Sequence, residues 1–165
     1  MIMRKSIFLI IGFFNFAFCF GQSDYVILSD QKRIDELISS KNIVAKSAKT
    51  VDLTKKEINL LEKLLKKSID NYNGKLSKSS KNYGRSEKFI ELYQIRELKN
   101  YTVQYVPYLN DEGEKEVWIN GFCNHAEPNW KTQIIYYLDG GNCIFNIRIN
   151  LTTKKCLSIK INNIA

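Results

Sequence analysis

The hydrophobic period changes partway along the chain, and this change constrains the fold more than any other feature. Between Leu53 and Tyr72 apolar residues recur at helical spacing, whereas from Tyr101 onward they alternate with a period of two. The first pattern predicts an amphipathic helix and the second predicts half-buried strands. Each element has one apolar face, and packing the two together buries both. The sequence therefore predicts an α+β fold with one long amphipathic helix packed on a four- to five-stranded antiparallel meander.

The start of the long helix carries two local signals. Thr54 and Glu57 match a capping box, and Leu53 and Ile58 match the hydrophobic staple that often accompanies it. Gly74 suits the left-handed conformation found just past a helix end, so we expect the helix to stop near it.

The rest of the N-terminal half is less regular. Residues 29–40 predict a short helix capped by Ser29 or Asp30. The polar stretch 75–87 has no apolar period and predicts a loop. Residues 88–99 fit either a short helix or an extended run.

The C-terminal half predicts five strands, at residues 101–108, 116–123, 132–138, 143–151 and 157–161. Gly140 and Gly141 separate the third and fourth strands, and both can take the positive φ that a two-residue hairpin requires. That turn would place Tyr136 opposite Phe145, with the apolar side chains of both strands on one face.

The first 21 residues match a secretory signal peptide. Arg4 and Lys5 precede an apolar run from residue 7 to 20, and small residues stand at Cys19 and Gly21 before the expected cleavage point. The run is shorter than the roughly 20 residues that span a bilayer, although a retained anchor is the alternative. We therefore expect export to the periplasm or the medium. The predicted organisation is a signal at 1–21, an N-terminal segment with a short helix at 22–52, and a helix-plus-sheet domain at 53–165.

The chain is basic, with a formal net charge of +8 that falls to +6 without the signal. Much of the excess lies between Lys46 and Lys88. An exported protein seldom meets nucleic acid, so we expect no nucleic-acid partner and no membrane contact beyond export. The charge then indicates either a solvated surface or a partner such as a protein or an anionic envelope polymer.

Three cysteines remain after removal of the signal: Cys123, Cys143 and Cys156. In a simple five-stranded meander Cys123 and Cys156 lie at one end of the sheet, about 14 Å apart across the intervening strands. Cys143 lies at the opposite end. A disulfide requires a Cα separation below about 7 Å, so we expect three unpaired thiols, with Cys143 buried and Cys156 at the surface.

The strongest cluster of potential chemistry is Cys123, His125 and Glu127. A thiolate nucleophile needs a base in hydrogen-bond reach and donors for the oxyanion. No glycine-rich loop or helix start nearby supplies those donors. We therefore predict no catalytic residue, metal site or cofactor, and interpret the protein as a non-enzymatic binding or interaction domain. The alternative is a small thiol-dependent or hydrolytic enzyme using Cys123 and His125.

A candidate binding surface lies on the sheet face turned away from the long helix. Aromatic, amide and guanidinium side chains alternate there, a mixture suited to a ligand or a protein partner. The alternative is that the first helix or the N-terminal segment covers this face as a second core layer. The candidate binding residues are Trp118, Asn120, Phe122, Tyr137, Asn146 and Arg148.

Two stretches, Val117–Cys123 (VWINGFC) and Asp139–Asn146 (DGGNCIFN), resemble a group of uncharacterised small secreted proteins of the Bacteroidota. The resemblance covers residues 101–165 and implies export and this fold, without a reaction. The chain departs from the group at Gly121, where relatives often carry Cys, and at Lys154, where they often carry Gly.

The order of one helix followed by an antiparallel meander is also similar to cystatin-type inhibitors. Gln104–Val106 and Pro128–Trp130 resemble their binding loops in residue type. This resemblance implies an inhibitor-like module and rests on the fold alone.

Overall fold

The structure is a computed structural model that describes residues 24–42, 45–123 and 127–163 of the chain. The predicted signal, residues 1–21, lies outside the described residues. No described helix combines the length and apolar character needed to cross a membrane. The helices are α1 (Gln31–Ser39), α2 (Lys55–Asn82) and α3 (Glu87–Tyr93), and the strands are β1 (Tyr25–Ile27), β2 (Lys49–Thr50), β3 (Thr102–Leu109), β4 (Lys115–Phe122), β5 (Ile144–Asn150) and β6 (Lys155–Ile161).

The strands form one sheet in the order β1-β3-β4-β5-β6, and β2 also pairs with β3. Strands β3 to β6 are an antiparallel meander, β2 is antiparallel to β3, and β1 is parallel to β3. The α+β class is therefore confirmed. The sequence did not indicate β1 and β2, because strands of three and two residues are too short to show a period.

Helix α2 begins as the sequence predicts. The Glu57 backbone N–H donates to Thr54 Oγ1 at 3.3 Å, and the Thr54 N–H donates to Glu57 Oε2 at 2.8 Å. This reciprocal pair is the capping box. The apolar stripe of α2 packs on one sheet face, and the core on that side includes Leu61, Leu65, Ile69, Val117, Ile119, Phe145, Ile147 and Ile149. The predicted packing of helix on sheet is confirmed.

The end of α2 differs from the prediction. The helix continues through Gly74 and the stretch 75–87 to Asn82. Gly84, with a φ of +62°, is the glycine that ends it. The Arg85 N–H donates to the Ser80 carbonyl at 2.9 Å, which is the long hydrogen bond of a Schellman motif. The expected type of helix end is present, but it occurs ten residues later because a second glycine has the required position.

The ambiguity in residues 88–99 is resolved in favour of a helix. Ser86 caps α3 and accepts a hydrogen bond from the Phe89 N–H. The following chain is held to α2 by Asn73, whose side-chain amide donates to the Ile95 carbonyl at 2.8 Å and accepts from the Ile95 N–H at 3.1 Å. The polar residue near the expected helix end therefore makes a tertiary contact instead of ending the helix.

The predicted third strand, residues 132–138, is not a strand in the structure. Strand β4 pairs directly with β5, so the chain from 127 to 140, here called the crossing segment, leaves the sheet and crosses its second face. Ile134 is buried there, whereas Leu138 is 98% exposed. Gly140 and Gly141 do have positive φ angles of 122° and 52°. They lead into a 3₁₀ turn rather than a two-residue hairpin, so the predicted pairing of Tyr136 with Phe145 is wrong.

The expectation of three unpaired thiols is also wrong. Cys123 and Cys143 form a disulfide, with their Cα atoms 5.0 Å apart. Loss of the predicted third strand makes β4 and β5 antiparallel neighbours, which brings the end of β4 beside the start of β5. Cys156 carries a free, exposed thiol, as predicted.

Candidate functional site

The sheet face opposite α2 carries the side chains that the sequence suggests for binding. Helix α1, its flanking residues and Ile134 cover the β3–β4 part of this face. Trp118, Asn120 and Phe122 are only 2%, 1% and 0% exposed. This part of the face is therefore a second core layer, which is the alternative stated above, and these three side chains do not reach the surface. The layer contains Leu28, Ile34, Leu37, Ala48, Val106, Tyr108, Trp118 and Ile134.

Three side-chain amides cross the covered face in register, one on each of β3, β4 and β5. Gln104 lies opposite Asn120, which lies opposite Asn146. The Asn120 Nδ2 donates to Gln104 Oε1 at 3.0 Å, and the Asn146 Nδ2 donates to Asn120 Oδ1 at 2.9 Å. We call these three residues the amide ladder.

The amide ladder binds the crossing segment to the sheet. The Gln104 Nε2 donates to the carbonyls of Trp130 and Gln133, at 2.5 and 2.7 Å. The Asn120 Nδ2 donates to the Ile135 carbonyl at 2.8 Å, and the Ile135 N–H donates to Gln104 Oε1 at 3.1 Å. Buried polar groups need such partners. Asn120 and its neighbours therefore hold the cover in place.

Tyr137 also secures the crossing segment. Its hydroxyl donates to Glu127 Oε1 at 2.9 Å, and its carbonyl accepts from Asn162 Nδ2 at 2.7 Å. Its ring centroid lies 6.2 Å from that of Phe122. Burial and the Glu127 carboxylate raise the pKa of Tyr137 to about 12, so the phenol stays neutral and able to donate at physiological pH.

A charged cluster lies at the other end of the same face. Glu116, only 7% exposed, accepts hydrogen bonds from the Tyr108 hydroxyl at 2.5 Å and from Asn110 Nδ2 at 2.9 Å. Arg148 Nε lies 3.6 Å from Glu116 Oε2. Burial, and then the nearby carboxylate, raises the pKa of Tyr108. Glu116 and Arg148 also line a small cleft of about 120 Å³.

The β5–β6 part of the face is more accessible and is cationic. Asn146 lies opposite Lys160, and Arg148 lies opposite Ser158. Directly opposed Cβ atoms in antiparallel strands are about 5 Å apart, so the four side chains form one surface, here called the cationic strip. Lys160 is exposed and the other three are partly exposed. Arg148 Nε itself is buried and has no hydrogen-bond acceptor in the described part of the chain.

Part of this surface was predictable from the alternation of the strands. Asn146 and Arg148 belong to the strip, whereas Trp118, Asn120 and Phe122 lie beneath the cover. Sequence reasoning missed Lys160 and Ser158. The alternation of β6 against β5 could have found Lys160, but only once their register was known.

A larger depression of about 570 Å³ lies between α2 and residues 94–98. The charged groups along it are paired within the chain. Lys66 Nζ lies 3.0 Å from Asp70 Oδ2, and Lys99 Nζ lies 2.5 Å from Glu97 Oε2. Lys160 of the cationic strip is exposed and has no ion-pair partner among the described residues, so the strip is the stronger candidate.

The disulfide changes the chemistry available near residue 123. A nucleophilic sulfur must be a thiolate, and the Cys123 sulfur is bonded to Cys143. His125 lies outside the described residues. Instead of a thiolate nucleophile, the described residues provide charged and amide groups fixed by hydrogen bonds, and such groups suit recognition of a ligand.

No protein-family model matches the chain, and the searches of curated proteins and of solved structures likewise returned no match.

Proposed function

We propose that the protein is an exported, non-enzymatic binding domain whose cationic strip recognises the carboxylates of an anionic envelope polymer. An acidic segment of a partner protein, bound as an inhibitor binds its target, is the alternative ligand for the same surface. The resemblance to small secreted proteins of the Bacteroidota agrees with export.

The position of Arg148 carries the proposal. Its Nε is buried 3.6 Å from Glu116 Oε2, so the guanidinium is held in position before any ligand arrives. Lys160 adds a second positive charge on the next strand, and Asn146 and Ser158 add hydrogen-bonding groups between them. Guanidinium and ammonium groups fixed close together favour carboxylate ligands, and charge-assisted hydrogen bonds are the stronger kind.

The disulfide supports the exported location. Structural disulfides persist in oxidising compartments and are rare in the cytosol. The bond between Cys123 and Cys143 joins the ends of two central strands, so it belongs to the framework of the sheet. The same bond weakens the enzymatic alternative, because it occupies the sulfur that a thiol-dependent reaction would use.

Binding to polygalacturonate, a polymer of carboxylated sugars, tests the proposal, with neutral dextran as the comparison polymer. Lys160→Gln should weaken binding about tenfold, the effect of losing one charge-assisted hydrogen bond. Lys63→Gln is the matched control, because it removes the same charge from an exposed position on α2, across the sheet from the strip. Equal binding to both polymers, or equal losses in the two variants, would contradict the proposal.

A further inference from the structure

The C-terminal part of α2 and the whole of α3 form a helical hairpin, residues 74–93, here called the prong. The last residue of α2 that packs against the apolar core on the sheet is Tyr72. The helix then continues for ten residues, about 15 Å at 1.5 Å per residue. Gly84 reverses the chain, and α3 runs back toward the sheet, where the Asn142 Nδ2 donates to the Glu91 carbonyl at 2.7 Å.

One side of the prong is a row of positive charge. Lys75, Lys78 and Lys81 follow each other at a spacing of three, which makes each the helical neighbour of the next. Arg85 and Lys88 add two further basic side chains beyond the turn. All five are exposed and none has an ion-pair partner in the described part of the chain. Like charges at this spacing destabilise a helix, so the lysine row does not contribute to the stability of α2.

The tip of the prong also carries exposed aromatic surface. Tyr83, at the turn, is 76% exposed. Arg85 lies over the Phe89 ring at 4.2 Å from its centroid, and Phe89 packs against Tyr93 at 4.8 Å between centroids. Leu92, on α3, is a further exposed apolar side chain. The prong therefore combines positive charge with an exposed ring at its tip and an exposed aliphatic side chain nearer the sheet.

In place of the sequence-based expectation that membrane contact is limited to export, we propose that the prong docks on the surface of an anionic phospholipid bilayer. Lysine and arginine side chains near such a surface are attracted to lipid phosphates, and tyrosine rings favour the headgroup region. Stable peripheral attachment usually takes two signals, and the prong supplies both charge and apolar groups. A soluble polyanion would use the charge row but leave Tyr83 and Leu92 without a role, which is why the bilayer is the better fit. This surface is separate from the cationic strip, which belongs to the sheet.

Vesicle binding tests the proposal with the purified full chain. Vesicles of phosphatidylcholine alone are compared with vesicles that also contain phosphatidylglycerol, and the neutral vesicles report any contribution of the apolar N-terminal residues. Binding to anionic vesicles should be tighter. Replacing Lys75, Lys78 and Lys81 together by Gln should weaken it roughly 100-fold, since each basic residue near the surface contributes about fivefold. Lys and Gln have similar helix propensities, so the fold should be retained, and circular dichroism checks this.

A matched control removes the same charge elsewhere on the same helix. Lys56, Lys63 and Lys67 are exposed, and each lies at least about 12 Å along the axis from the prong lysines. That distance exceeds the screening length of about 8 Å at physiological salt, so the triple change to Gln should have little effect. An equal loss in this control would show attraction by net charge alone and would overturn the proposal.

Tyr83→Ser separates the bilayer from a soluble polyanion. On vesicles it should weaken binding roughly fivefold, the effect of losing about half the burial of an aromatic side chain. Binding to soluble polyphosphate should not change. If polyphosphate binds the prong as tightly as the vesicles do and Tyr83→Ser affects neither, the partner is a soluble polyanion and the proposal is wrong.

Discussion

Gly121 on β4 has no room for a side chain, and this makes Gly121→Ala an informative substitution. A Cβ atom added to Gly121 would lie 2.2 Å from Cζ and 2.3 Å from Cε1 of Phe145, its direct partner on β5. Phe145 is fully buried and packs edge-on against Tyr101, with ring centroids 4.9 Å apart. The ring would have to move by more than about 1 Å to restore normal contact, and a close-packed core resists such a movement.

The expected cost of Gly121→Ala follows from this geometry. Overpacking a core costs about 1–3 kcal/mol, and a lower unfolded-state entropy returns about 0.4–1 kcal/mol. We therefore expect a net loss of about 1–2 kcal/mol in the free energy of unfolding. At this chain length that corresponds to a fall of about 2–4 °C in Tm for each kcal/mol.

Chemical denaturation followed by circular dichroism measures the effect, with Gly74→Ala as the control. Gly74 lies inside α2, and a Cβ added there would have no other atom within 4 Å, so the same substitution should stabilise the protein by about 0.5–1 kcal/mol. Phe145→Leu should partly rescue Gly121→Ala, because it shortens the side chain that causes the clash. An unchanged denaturation midpoint for Gly121→Ala would refute the reasoning.

The remaining predictions concern stability and the thiols. Cys123→Ser should lower the free energy of unfolding by about 3 kcal/mol, because it removes a disulfide that closes a loop of this size in the unfolded chain. Urea denaturation measures the change. In the untreated native protein iodoacetamide should label Cys156 and leave the disulfide unreacted. The hydrogen bond from Lys115 lowers the pKa of Glu57 to about 2, below its usual value of 4.5. The interaction contributes about 1–2 kcal/mol to the free energy of unfolding after screening by solvent. This contribution is present above pH 4.5 and is lost as the pH falls toward 2. Lys115→Gln should therefore be less stable than the wild type at pH 7 and equally stable in acid. Lys154 has a φ of +58°, so Lys154→Gly should raise the thermal midpoint, with a gain of about 0.5–1 kcal/mol; a lower midpoint would show that this turn is not strained.

Local signals predicted the elements well where the pattern was long. The Thr54 capping box, the apolar stripe of α2 and the four strands of the meander are all present within a few residues of their expected bounds. The end of α2 was misplaced because Gly74 and Gly84 are equally able to end a helix. A glycine permits the left-handed conformation but does not require it.

The candidate site was harder to predict than the fold. Alternation placed Asn120, Asn146 and Arg148 on one face correctly. Asn146 donates a hydrogen bond to Asn120, and Arg148 lies opposite Trp118, two residues before Asn120. It could not show that α1 and the crossing segment bury Asn120, because coverage depends on elements distant in sequence. It also could not place Lys160 next to Asn146 without the register of β6.

The sequence by itself determined the helix, the strands and the faces that each of them buries, because these follow from spacing along the chain. Only the tertiary structure decided which strands are neighbours. Residues 132–138 and 143–151 alternate equally well, and β4 pairs with the second of them. In the structure, the buried side-chain amides of Gln104 and Asn120 instead form hydrogen bonds with the backbone of residues 132–138. That choice brings Cys123 beside Cys143, covers the aromatic residues of β4 and leaves the cationic strip at the surface.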